Sequence, residues 1–221
     1  MKKTIVHFIR HGQTIYNVEN KIQGSVDIEL SMEGRNQAKS IPNNKFFESY
    51  DIAYHSSLSR SKETLNIVLN KIFDKQMIPK IKLSDLIIER SYGIFEGLKK
   101  EEIQIKYPEL YLNWIDNENT VIQAAEPIEN VVLRIKDFIN LVIDYEKVLA
   151  VTHSGVLYAI YKLITNIKLS ERPKDVSFPN CCSVYLYIYH YEKKIIKLEL
   201  HIEDETYVYS CSPTEMIVST T

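Results

Sequence analysis

Two short apolar runs, each ending in a histidine followed closely by a glycine, constrain this chain more than any other feature. Residues 4–9 run into Arg10-His11-Gly12, and residues 147–152 run into His153-Ser154-Gly155. Apolar runs this short, bounded by polar residues, read as buried strands. Helical spacing lies between them. Leu65, Val68, Leu69, Ile72 and Phe73 recur on one face of a helix spanning 58–73, and 131–145 reads as an amphipathic helix. Ser31 stands where an N-cap would open a helix near 35–40. Residues 51–55 and 82–88 read as further strands. Residues 183–191 and 195–203 read as a late hairpin turning across Glu192-Lys193-Lys194. Strands alternating with helices, then late strands, give an α/β fold with a mainly parallel sheet.

In an open α/β sheet, ligands bind beyond the carboxyl ends of the strands. Both histidines therefore face one crevice. The strand at 51–55 leads toward Arg60, and the strand at 82–88 ends on Glu89. Four strand ends thus present Arg10 with His11, Arg60, Glu89 and His153. Two guanidiniums offer planar donors that match phosphate oxygens. A neutral imidazole nitrogen can attack phosphorus and hold the phosphoryl group. A protonated carboxyl can supply the proton that the departing alkoxide needs.

Composition excludes several alternatives. The 221 residues carry 27 Lys plus Arg against 29 Asp plus Glu, a net charge of −2. A nucleic-acid binder would show a basic excess, so no nucleic-acid partner is expected. No apolar run approaches the roughly 20 residues that span a bilayer, so no membrane association is expected. Met1-Lys2-Lys3 precedes an apolar run too short for a signal sequence. Cys181, Cys182 and Cys211 are an odd set with an adjacent pair, a poor disulfide framework, and a cytoplasmic location is expected. There are no internal repeats and no linker, so residues 1–221 are expected to form one domain. Only six glycines occur, where average usage would give about fifteen. Five of them sit in short polar clusters.

Those clusters carry a resemblance. Arg10-His11-Gly12-Gln13-Thr14, followed by Asn17 and by Gln23-Gly24, resembles the signature of the histidine phosphatase superfamily, the phosphoglycerate-mutase-like group. Ser56-Ser57-Leu58-Ser59-Arg60 with Thr64 resembles its second motif. The run from Glu89 through Tyr92-Gly93 to Glu96-Gly97 resembles its third, and Thr152-His153-Ser154-Gly155 its fourth. The motifs fall in family order. The resemblance implies a three-layer α/β/α sandwich with a helical lid inserted at about 98–129. It implies His11 as the nucleophile, Arg10, Arg60 and His153 as the phosphate clamp, and Glu89 as the proton donor. Glu96 is a second acid in the same loop, and Glu89 is preferred for its place before Tyr-Gly. Asn17, Gln23, Gly24, Tyr92, Lys99 and Ser154 are the expected substrate contacts. No metal and no cofactor are expected. The motifs of cysteine phosphatases, aspartate phosphatases and P-loop enzymes are missing.

The expected activity is hydrolysis of a small phosphorylated metabolite. Two rivals stand beside it: a cofactor-dependent phosphoglycerate mutase, and a non-catalytic module that binds a phosphate ligand or a protein. From Glu101 to Leu133 there is one base, Lys106, against seven acids: Glu101, Glu102, Glu109, Asp116, Glu118, Glu126 and Glu129. Such a lid is expected to repel a second phosphate or carboxylate, because like charges across a dry pocket cost several kcal/mol. The layout resembles bacterial broad-specificity and α-ribazole phosphatases. It departs from them at Ala125-Glu126-Pro127, where such relatives often have Gly-Glu-Ser. The late strands offer an edge on which a homodimer could form.

Overall fold

A computed structural model describes residues 1–42, 49–73, 78–202 and 205–210. Its centre is a seven-stranded sheet in the order β3-β2-β4-β1-β5-β6-β7. The strands are β1 (Lys2–Arg10), β2 (Ile52–His55), β3 (Lys80–Leu83), β4 (Lys147–Thr152), β5 (Ser183–Tyr191), β6 (Lys194–Ile202) and β7 (Glu205–Ser210). The first four pair in parallel, and β5 to β7 continue the sheet as an antiparallel meander.

The apolar run of β4 is buried on both faces, and its residues divide between two cores. Val148 and Ala150 pack with α6 (Ile128–Val142) and α7 (Ser154–Thr165), whose Ile135, Phe138, Ile139, Val156 and Ile160 recur at helical spacing. Leu149 and Val151 pack on the opposite face against Leu65, Val68 and Leu69 of α3 (Ser59–Ile72). Helices thus cover both faces of the parallel region. Among the described residues, no helix is long and apolar enough to cross a membrane.

The remaining helices are α1 (Ile15–Val18), α2 (Met32–Ser40), α4 (Lys100–Lys106) and α5 (Pro108–Asp116). Ser31 caps α2 as expected, accepting from the Gly34 N–H at 3.0 Å. Helices α4 and α5, in the segment expected as a lid, pack in a separate apolar cluster with Phe95, Ile103, Trp114 and Ile122. One residue before Ala125, the position at which a glycine was missing, Ala124 takes the left-handed conformation, φ 61°. The β5–β6 turn likewise uses two non-glycine residues at positive φ, Glu192 and Lys193.

Two expectations change. The strand expected over 82–88 lies earlier, at Lys80–Leu83 on the exposed edge of the sheet. Residues 85–87 form a single tight helical turn held by Thr152, whose hydroxyl donates to the Ile87 carbonyl at 2.8 Å. Glu89 therefore arrives from a loop, not from a strand end. Strand β7 was not anticipated. Cys211 lies outside the described residues.

Candidate active site

Register builds the centre of the site. Arg10 of β1 pairs with Thr152 of β4, and the ladder runs one step further through the His11 N–H to the Thr152 carbonyl, at 2.9 Å. His11 and His153 therefore leave neighbouring strands together, with ring centroids 5.1 Å apart. Strand β2 pairs His55 with Val151, which delivers the next residue, Ser56, to His153. The Ser56 hydroxyl lies 2.8 Å from His153 Nε2.

The first turn of α3 completes the frame. Thr64 accepts from the Gly12 N–H at 3.0 Å and donates to the Arg60 carbonyl at 2.7 Å, tying the first motif to the second. Gly12 is required here, since a Cβ on it would lie 2.4 Å from the Gly34 carbonyl oxygen. Arg60 is fully buried and donates at 2.7 Å to the carbonyls of Gly24 and Val26. Arg10 donates through Nη1 to the Phe178 carbonyl. Three buried atoms in this cluster have no hydrogen-bond partner in the protein: Arg10 Nε, Arg60 Nε and His153 Nδ1. A buried donor without a partner costs about 1–3 kcal/mol, so such atoms mark where a ligand oxygen belongs.

The titration of the cluster suits nucleophile and acid. His11 Nδ1 lies 2.7 Å from the Gly12 carbonyl oxygen and must donate to it, which leaves Nε2 with the lone pair. Burial, then the charges of Arg60 and Arg10, hold His11 well below its usual range and keep it neutral. His153 is held down in the same direction, first by burial and then by Arg60. Glu89 moves the other way. Burial raises it, against the pull of Arg60, the N–H groups of Arg90 and Gly155, and Arg10. Its Oε1 accepts from Arg90 at 2.8 Å and from Gly155, in the first turn of α7, at 3.1 Å.

A cavity of about 350 Å³ opens onto this cluster, with Arg10, His11 and Glu89 among its walls. Asn17, Gln23, Gly24, Tyr92 and Ser154 also line it, in line with the sequence. Asn17 Oδ1 accepts from the Thr14 N–H and Asn180, which fixes the orientation of the amide, and the Thr14 hydroxyl donates to Gln23 Oε1 at 2.8 Å. Arg60 and His153 lie behind the wall, reaching the cluster through their buried polar atoms. Glu96 does not line the cavity. Its Oε1 accepts from Ser25, Ser91 and Tyr92 and fastens two loops together.

Lys99 is not a lining residue, and Lys100 is. The backbone of Lys99 pairs with Lys21 and its N–H donates to Glu102, so it opens α4. The lid acids also sit differently from the expectation that they repel a second anion. Only Glu118 of the seven lines the cavity, and it is paired with buried Lys162 and with Arg172. Glu126 pairs with Arg134, Glu102 caps α4, and Glu129 accepts from Asn119. For six of the seven acids the like-charge argument against a second anionic group therefore fails on geometry, and the seventh, Glu118, is charge-paired. Sequence reasoning missed Tyr158, Arg172 and Asn180; the last two come from the irregular segment between α7 and β5, which carries no periodic pattern. Among the described residues, no group of three or more His, Cys, Asp or Glu is arranged to hold a metal ion.

Comparison with known proteins accords with this geometry. The family model of the histidine phosphatase superfamily (branch 1) matches residues 6–201. Phosphoserine phosphatase 1 of Hydrogenobacter thermophilus is 30% identical over 198 residues, covering 88% of this chain and 90% of its own. A 2,3-bisphosphoglycerate-dependent phosphoglycerate mutase of Cytophaga hutchinsonii is 28% identical over 197 residues, covering 86% and 89%. Among solved structures, a mycobacterial glucosyl-3-phosphoglycerate phosphatase superposes with a TM-score of 0.76 at 21% identity, over 91% of this chain and 98% of that one. The chain belongs to the histidine phosphatase superfamily.

Proposed function

We propose that this member of the histidine phosphatase superfamily is a cytoplasmic, metal-independent phosphatase that hydrolyses small phosphate monoesters through a phosphohistidine on His11. The observation that carries the reading is that His11 commits Nδ1 to the Gly12 carbonyl, which leaves Nε2 its lone pair, in a cavity wall shared with Arg10 and Glu89; burial lowers His11 and raises Glu89. In the first step His11 Nε2 attacks phosphorus, the bond to the ester oxygen breaks, and Glu89 protonates the departing alkoxide. In the second, water attacks the phosphohistidine, Glu89 takes its proton, and inorganic phosphate leaves with His11 restored. Arg10, Arg60 and His153 supply fixed donors to the oxygens on which charge accumulates. The names of similar proteins, phosphoserine phosphatases and phosphoglycerate mutases, support phosphoester chemistry and divide over its outcome.

The mutase remains the second reading because six of the seven lid acids do not line the cavity and Glu118, which does, is paired with Lys162 and Arg172, which weakens the electrostatic objection to bisphosphorylated substrates. The test is p-nitrophenyl phosphate hydrolysis in EDTA by wild type and His11→Ala, followed by a panel of alkyl phosphates. Activity that survives EDTA and disappears in the variant is the expected result. Persistence in the variant removes His11 from the nucleophile role. Absence of hydrolysis, together with 3- to 2-phosphoglycerate exchange stimulated by bisphosphoglycerate, favours the mutase.

A further inference from the structure

We infer that the same cavity holds a second subsite, built by Trp114, Arg172 and Lys100, that reads a carboxylate on the phosphorylated substrate. The inference rests on the phosphatase reading and adds a substrate class to it.

Trp114 is 3% exposed, and its ring packs edge-on against Tyr92 and Phe95. It lines the cavity, and its Nε1–H has no hydrogen-bond partner in the protein. A buried indole ordinarily finds an acceptor for this group. Arg172 stacks over the same ring with its guanidinium carbon 4.5 Å from the centroid, and donates to the Trp114 carbonyl at 2.9 Å. Those bonds hold the guanidinium at the wall while about a third of the side chain stays exposed. Lys100 contributes a third donor from the start of α4.

Local charge selects the ligand. Arg172 and Lys162 together face one acid, Glu118, which leaves one positive charge. Lys21, also in the wall, pairs with Glu19 at 2.7 Å and adds none. With Lys100 the subsite is cationic and offers an N–H, a planar guanidinium and an ammonium. A carboxylate, a planar acceptor with one charge, matches this set. A second phosphate would bring nearly two charges close to the Glu118 carboxylate, whose Oε1 is 3.6 Å from Arg172 Nη1. Arg10 and Arg60 already serve the phosphoryl group, so the two anionic ends of one substrate have separate partners.

Matched substrate pairs that differ only by the carboxylate test the inference. Suitable pairs are phosphoserine with phosphoethanolamine, and 3-phosphoglycerate with glycerol 3-phosphate. The expected wild-type kcat/KM ratio favours the carboxylated member by about tenfold or more, the size of one or two charge-assisted hydrogen bonds. Arg172→Gln and Lys100→Met should each lower that ratio by about tenfold, and Trp114→Phe, which keeps the ring and removes the N–H, by about threefold to tenfold. Equal rates on both members of each pair overturn the inference and leave the phosphatase reading standing. Variants that slow both members alike also overturn it, because they assign these residues a structural role. Preference for a sugar bisphosphate over the carboxylated esters overturns the choice of carboxylate. No hydrolysis of any member overturns the reading on which the inference rests.

Discussion

Replacing Glu89 by glutamine separates the proposed proton donation from the hydrogen bonds this residue accepts. Glu89 Oε1 accepts from the backbone N–H groups of Arg90, at 2.8 Å, and Gly155, at 3.1 Å. A glutamine carbonyl can accept both in the same place, so the side chain keeps its position and loses only its acidic proton. General acid catalysis contributes about 10²- to 10⁴-fold, which is about 3–5 kcal/mol of barrier at ~1.4 kcal/mol per tenfold. For an alkyl phosphate, kcat/KM should fall by about that factor. For p-nitrophenyl phosphate, whose phenolate departs without a proton, the loss should stay within about tenfold. A pH series carries the same logic. Burial raises Glu89, so its acid form persists to higher pH than that of an ordinary carboxyl and is lost as pH rises through the raised value. Wild-type turnover of alkyl esters should therefore fall on the alkaline side, and Glu89→Gln should lack that limb. Steady-state rates on both ester types across about pH 5 to 9, with circular dichroism on both proteins, measure this directly. Equal losses for the two leaving groups, or an unchanged alkaline limb, would remove Glu89 from the acid role.

Three further outcomes follow from packing and charge. Gly155→Ala puts a Cβ 2.4 Å from Glu89 Oε1, so the carboxyl must move, and alkyl-ester kcat/KM should drop up to about 10²-fold; wild-type rates would show that Glu89 tolerates displacement. His7, in the middle of β1 and bonded to Tyr50 and Ser183, is pushed by burial from 6.5 to about 3. Its folded value is depressed, so acid favours the unfolded chain: stability is intact above pH 6.5 and about 2 kcal/mol should be lost between there and about pH 5. His11 and His153 pull in the same direction and Glu89 in the opposite one; urea unfolding at the two pH values reads the sum, and a flat profile contradicts the histidine contribution. Lys162→Met leaves buried Glu118 with only Arg172, which should destabilise the fold by about 3 kcal/mol; a change below about 1 kcal/mol in chemical denaturation would mean that the pair is not structural.

What was legible in the sequence is what local pattern controls. Strands β1 and β4 are continuous apolar runs buried on both faces, so their ends, and with them His11 and His153, could be read directly. Helix α6 could be read because Val131, Ile135, Phe138 and Val142 keep one face apolar. The third strand was misplaced because Lys80–Leu83 is an exposed edge strand whose apolar residues meet no core, whereas Ile87 further on is fully buried within a turn. Residues that reach the cavity from irregular chain left no periodic trace. Arg172 and Asn180 lie in the loop between α7 and β5, and packing alone brings them to Trp114 and His11. The acidity of the lid was legible as a count, but its direction was not. Glu118 turns inward because Lys162, itself buried on α7, is there to meet it.

The position of the proposed catalytic groups is thus set by burial at a distance from them. Side chains alternate across a strand, so a one-residue slip between β1 and β4 would turn Val148 and Ala150 away from one core and Leu149 and Val151 away from the other. Val148, Leu149 and Val151 each contribute about 1.5–3 kcal/mol by burial, so the observed register is favoured by several times the thermal energy. That preference offsets the cost of keeping neutral histidines, two arginines and a raised carboxyl together in a dry cluster. Arg10 Nε, Arg60 Nε and His153 Nδ1 each remain without a protein partner, at about 1–3 kcal/mol apiece. A frame less firmly registered would relax and satisfy them internally. Held apart, they keep their hydrogen-bonding capacity for an anion, and they are spared reorganisation when charge develops on the phosphoryl oxygens.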